Sequence, residues 1–236
     1  MLAESILNPT VFIGAFEWRE PVTTLTDFLV AVVCWISVYA YYKYAERKPV
    51  QKWFFAYFLC FAVGMTSAAW LGHGLQAYVT PEYKVIGWIC GATGLMFLQM
   101  GLNVFLKRSV PKWVNQTLPA IFIVQWALAV GFMVYKLPQG SVEAFKVTQV
   151  NSTIALVGVV LPMALFSYFR TKNPGMLIIC GAIGFSIIPG MVYTFELSID
   201  RWFNYHDISH VLMASFMAFM LAGTWTLNDS FDFPDT

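Results

Sequence analysis

Residues 85–106 read VIGWICGATGLMFLQMGLNVFL, from Val85 to Leu106, without one Asp, Glu, Lys or Arg. A hydrocarbon core about 30 Å thick asks for about 20 apolar residues in a helix, and this stretch meets that length. It is punctuated at both ends, by Pro81-Glu82 before it and by Lys107-Arg108 with Pro111 after it. Working outward, six further runs of the same kind appear: 22–42, 53–79, 114–135, 147–169, 176–195 and 206–226. The gaps carry Lys43 to Lys52 with Pro49, Pro138-Gln139-Gly140, Arg170 to Pro174, and Ser198 to Arg201. Seven spans with short connections predict an all-α membrane protein: a single domain over 1–236, a seven-helix bundle whose successive helices are antiparallel neighbours.

Composition agrees. The 236 residues are 58% hydrophobic and 11% charged, against roughly 25% charged in an ordinary soluble domain. That excludes a soluble enzyme, a disordered tail and a nucleic-acid reader. The 14 Lys and Arg nearly cancel 13 Asp and Glu, so no global field steers a polyanion to the surface. The implied partner is membrane lipid, and the implied location is integral and multi-pass. The N-terminus lacks the basic start and early apolar run of a cleavable signal peptide. Cys34, Cys60, Cys90 and Cys180 all fall inside the spans, where they read as small apolar groups and not as a disulfide framework.

Orientation follows from Lys and Arg in the short loops. One face holds Lys43, Arg47, Lys48, Lys52, Lys107, Arg108, Lys112, Arg170 and Lys172; the other holds Arg19, Lys84, Lys136, Lys146 and Arg201. The bias predicts an N-terminus outside or in a lumen. The tail with Asp229, Asp232 and Asp235 is then cytoplasmic.

An ionisable group inside a span is costly and so carries a functional hypothesis. Asp27 lies near the start of the first span, His73 towards the end of the second, and His206, Asp207 and His210 open the seventh, all at the outer side. His206 and His210 stand four apart, so on a helix they share one face about 6 Å apart along the axis. His73 is the one other histidine in the chain, and it comes from another helix at matching depth. Three neutral nitrogens with a fourth position left to water are the open coordination of catalytic zinc. The same residues also suit interhelical hydrogen bonding, or a bis-histidine haem with His73 opposite His206 or His210.

The stretches Thr66-Ser67-Ala68-Ala69-Trp70-Leu71-Gly72-His73 and His206-Asp207-Ile208-Ser209-His210 resemble the alkaline ceramidase and adiponectin-receptor superfamily of seven-span intramembrane zinc hydrolases. The expected topology agrees with the ceramidase branch, since the adiponectin receptors are inverted. Glu17-Trp18-Arg19-Glu20, followed by Asp27, is similar to the acidic segment with which alkaline ceramidases hold calcium beside the zinc. The resemblance thus implies a calcium site from Glu17, the Trp18 carbonyl, Glu20 and Asp27; read alone, the segment is also an acidic interfacial loop with Trp18 in the aromatic belt. Two positions depart from the family. Its serine, four residues before the histidine, is Ala69 here, with Ser67 the nearest serine. Its aspartate near the start of span three is missing, with Glu82 the closest carboxylate.

What the resemblance implies is an intramembrane hydrolase in which His73, His206 and His210 hold zinc. Metal-activated water would attack an amide or ester carbonyl of a ceramide-like lipid entering from the outer leaflet. Asp27 or Asp207 would take and return the proton, and Ser67 would orient water or oxyanion if a bulge turned it inward. The rival classes are a receptor or structural protein whose metal ties spans two and seven together, and a haem electron carrier. A transporter with helices broken at Gly72-His73-Gly74 and Pro189-Gly190 is a further alternative. Span seven has no lysine for a retinal Schiff base.

Overall fold

Each of the seven apolar runs folds as a helix in the computed structural model, which describes residues 9–44, 49–107 and 109–229. They are α1 (Pro21–Tyr44), α2 (Val50–Gly74), α3 (Pro81–Leu106), α4 (Lys112–Gln139), α5 (Ser141–Thr171), α6 (Pro174–Thr194) and α7 (Tyr205–Leu227), all long and apolar enough to cross a membrane. Proline sets three of the starts, at Pro21, Pro81 and Pro174, where its missing N–H costs nothing. At α6 the Asn173 side chain caps the helix by accepting from Gly175 N at 2.8 Å. The second span ends at Gly74 rather than at Val79, and the fifth begins at Ser141, one and a half turns before Val147. Arg47, Lys48 and Arg108 of the charge count, and Asp232 and Asp235 of the tail, lie outside the described residues.

Helices adjacent in sequence are adjacent in space, and α7 returns to pack along α1 and close the ring. Tyr57 and Phe58 of α2, Leu98 and Leu102 of α3, Ile179 and Ile183 of α6, and Met217 and Met220 of α7 are fully buried in one core. Lipid is as apolar as these side chains, so close packing rather than water exclusion holds the helices together. Glycines permit it: a Cβ on Gly101 would stand 2.6 Å from the Phe54 ring, and one on Gly175 2.6 Å from the Gly223 carbonyl oxygen.

Backbone polar groups freed by prolines find partners. Pro119 lies inside α4 and cannot donate to the Asn115 carbonyl one turn back. Asn103 of α3 supplies the bond instead, Nδ2 to Asn115 O at 3.1 Å, and Asn115 Nδ2 returns one to Asn103 O at 2.9 Å. In α5 the turns before Pro162 widen to a π-helix over Ile154–Val160. Pro189 leaves α6 unbroken to Thr194.

The all-α expectation needs one correction. Ahead of α1, β1 (Thr10–Ile13) and β2 (Phe16–Arg19) pair antiparallel, Thr10 opposite Arg19 and Ile13 opposite Phe16. The two-residue turn is possible because Gly14 takes φ +61°. The stretch 16–19 is therefore strand rather than interfacial loop. The hairpin is fastened to the segment after α2: Phe16 stacks on Tyr78 at 5.6 Å, and Glu17 N donates to the Tyr78 hydroxyl at 2.8 Å.

Candidate functional site

α1, α2 and α7 meet at the end of the bundle that carries the hairpin. His73 reaches this layer from a π-helical segment, Ala68–Gly74, that ends α2. Single π turns inside α-helices often occur at functional sites, since they re-aim side chains without breaking the helix. Gly72-His73-Gly74 is thus a widening of the helix, not a break. His206 and His210 come from the first two turns of α7 and Asp27 from the second turn of α1.

The α7 start is built by a capping box. Asn204 Oδ1 accepts from His206 N at 2.8 Å, and Asp207 Oδ2 accepts from Asn204 N at 2.8 Å. One oxygen of the Asp207 carboxylate is therefore committed to holding the helix that presents His206 and His210. The imidazole of His206 sits between Tyr205, 4.2 Å away, and Tyr193 of α6, 5.3 Å away, centroid to centroid.

The rings of His206 and His210 lie 6.3 and 6.1 Å from that of His73. Asp27, 1% exposed, stands between His73 and His210. Its Oδ2 is 3.6 Å from His73 Nε2 and its Oδ1 3.2 Å from His210 Nδ1. Among the described residues neither oxygen finds a hydrogen-bond partner. Among the described residues no three His, Cys, Asp or Glu side chains converge closely enough on one point to hold a metal ion.

The remaining sequence candidates separate. Glu20, 8% exposed, is bonded through Oε2 to His73 Nδ1 and accepts from Gln76 Nε2 at 3.2 Å. A carboxylate only accepts, so this pair places the proton on Nδ1 of His73. Burial raises the Glu20 carboxyl, but the hydrogen bond and charge of His73, helped by Lys84 and His206, bring it below its usual value. Glu17 points elsewhere, its Oε1 paired with Arg19 Nε at 2.8 Å. The strand alternation explains this, because residues 17 and 19 share a face. Trp18 lies opposite Val11 in the ladder and donates from Nε1 to Thr24 Oγ1 at 3.3 Å. Ser67 is half-buried at the last α-helical position before the π segment and, among the described residues, forms no hydrogen bond with the histidine layer. The hydroxyl at the histidines is that of Thr26, 3.3 Å from His210 Nδ1. Thr26 and Gln76 carry no charge and so do not stand out in an apolar run by cost, although Gln76 lies three residues beyond His73.

A model of the family of unknown function DUF6962 matches residues 22–229. The chain belongs to that family. The matched range includes Asp27, all three histidines and Asp207, and begins after the hairpin and Glu20. No curated protein and no solved structure matches the chain.

Proposed function

We propose that the protein is an intramembrane zinc-dependent hydrolase that cleaves an amide or ester bond of a membrane lipid. The observation that carries the reading is Asp27. A buried carboxylate with neither oxygen hydrogen-bonded is unstable unless a cation or proton answers it, and here His73 Nε2 and His210 Nδ1 both face it. The donor set fits zinc, with His73, His206 and His210 as ligands. Bound there, zinc would polarise a carbonyl and lower the pKa of water.

The chain's own residues supply the rest. Tyr193 and Tyr205 hold the His206 ring, and the capping box fixes the turn on which it stands. Asp27 lies where a proton leaving water near the histidines can be taken up and later returned to the departing group. Asp207 caps α7 through Oδ2, while its buried Oδ1 makes no hydrogen bond among the described residues, so it remains the alternative proton carrier. A lipid carbonyl would reach this layer from the bilayer side. With the N-terminus outside, the substrate comes from the outer leaflet.

The residues do not fit the calcium site. Glu17 is bonded to Arg19 and Glu20 to His73, so the two carboxylates serve different partners, and no step is derived through calcium. A haem held by His73 and His210 is disfavoured by position, since Asp27 occupies the space between those two rings.

Metal analysis of the purified protein, joined to a screen of lipid amides and esters, tests the reading. The expected result is about one zinc per chain, lost in His210→Ala, together with hydrolysis that requires the metal. Full zinc retention in His73→Ala, His206→Ala and His210→Ala overturns the site. Zinc without hydrolysis of any lipid class leaves a structural metal and overturns the enzyme.

A further inference from the structure

We infer that Glu20 is the positioning residue of His73: its carboxylate holds Nδ1–H so that Nε2 is turned to the centre of the histidine layer. The inference rests on the zinc reading above and goes beyond it, because it gives Glu20 a role in that site and removes it from any calcium site.

The geometry is specific. An imidazole has two nitrogens on opposite edges, and the one that carries the proton is set by what the other edge meets. His73 presents Nδ1 to Glu20 and Nε2 to Asp27, with Nε2 3.6 Å from Asp27 Oδ2. Its Nε2 lone pair is thereby aimed at the position that His210 also faces. A histidine that ligates a metal commonly donates its second N–H to a carboxylate, which fixes the ring and strengthens the ligand.

The backbone is arranged to deliver that carboxylate. Glu20 adopts φ +46°, a left-handed conformation uncommon outside glycine, at the junction of β2 and α1. By strand alternation Glu20 falls on the face opposite Glu17 and Arg19, and the change of hand marks the end of β2. Its N–H donates to Pro9 O at 3.1 Å, and its carbonyl accepts from both Thr24 N and Thr24 Oγ1 at 2.9 Å. Gln76 Nε2 fixes the side chain from the segment following α2. The hairpin's role is then to carry one carboxylate to the outer edge of His73.

Zinc affinity is measured by chelator competition on the purified full chain and on Glu20→Gln and Glu17→Gln. Glu20→Gln keeps shape and loses charge, and is expected to weaken zinc by about 10–100-fold; Glu17→Gln is expected to match the wild type. Wild-type affinity in Glu20→Gln, or equal weakening in Glu17→Gln, overturns the inference while leaving the zinc site standing. A wild type that binds no zinc overturns both. The second measurement needs no variant at Glu20: with only three histidines in the chain, selective ¹⁵N-histidine labelling resolves each ring, and His73→Gln assigns its own signal. In the zinc-loaded protein, His73 is expected to carry its proton on Nδ1 and the metal on Nε2; the reverse arrangement overturns the proposal.

Discussion

On the proposed reading the chemistry turns on Asp27, because among the described residues its carboxylate makes no hydrogen bond and faces two imidazole edges at 3.2 and 3.6 Å. Asp27→Asn keeps the volume and removes the charge. We expect a folded variant that still retains zinc on its histidines and hydrolyses lipid about 100-fold more slowly, the scale of a lost general base; wild-type turnover would make Asp27 a packing residue. The same substitution has a signature in stability. Stripping the metal leaves the buried Asp27 carboxylate of the wild type without a cation, to be answered only by taking up a proton, whereas the variant carries a neutral amide throughout. Chelation should therefore lower the melting temperature of the wild type more than that of Asp27→Asn. The histidines and Asp27 were legible in the sequence because an ionisable group in an apolar run stands out by cost alone. Asp207 stands out for the same reason, and its second role is also local, since Asn204-x-x-Asp207 is a capping pattern. Glu20 was legible as acidic but not as the partner of His73, since that contact depends on a left-handed residue at the strand-helix junction.

At the scale of elements, hydropathy placed all seven helices because each must match the bilayer along its whole length. It could not show the hairpin, whose four-residue strands are too short for a period-two pattern, or the π segments, which leave hydropathy unchanged. Two element contacts carry predictions. Asn103 answers the Asn115 carbonyl that Pro119 leaves free, so Asn103→Leu should destabilise the bundle by about 1 kcal/mol. In a Pro119→Ala background the helix can supply its own donor, and the cost of Asn103→Leu should fall; equal costs in both backgrounds would mean that the side chain does not compensate the proline. The α6–α7 contact is tighter still. A Cβ on Gly175 would meet Gly223 O at 2.6 Å and Leu227 N at 2.8 Å, whereas one on Gly181 would meet nothing within 4 Å. Gly175→Ala should lose about 1–3 kcal/mol by thermal unfolding in detergent, while Gly181→Ala stays neutral or gains slightly. Similar behaviour of the two variants would refute the close packing.

For the whole molecule, an odd number of crossings puts the two ends of the bundle on opposite sides, and the hairpin, Asp27 and the histidines all lie at the N-terminal side. The side on which the proposed lipid chemistry would occur is therefore decided by orientation alone. The charge bias predicts that the face with Lys43, Arg47, Lys48, Lys52, Lys107, Arg108, Lys112, Arg170 and Lys172 is cytoplasmic, against Arg19, Lys84, Lys136, Lys146 and Arg201 on the other. Gln139 and Lys112 are exposed at opposite ends of α4, and the four native cysteines lie within the spans, so introduced thiols can report on each face. An impermeant maleimide added to intact cells should label Gln139→Cys, and should reach Lys112→Cys only after permeabilisation. The reverse pattern would place the histidine layer at the cytoplasmic leaflet. The zinc ligands and the role of Glu20 would be untouched by that result, because they depend on contacts inside the bundle, but the lipid would have to come from the inner leaflet.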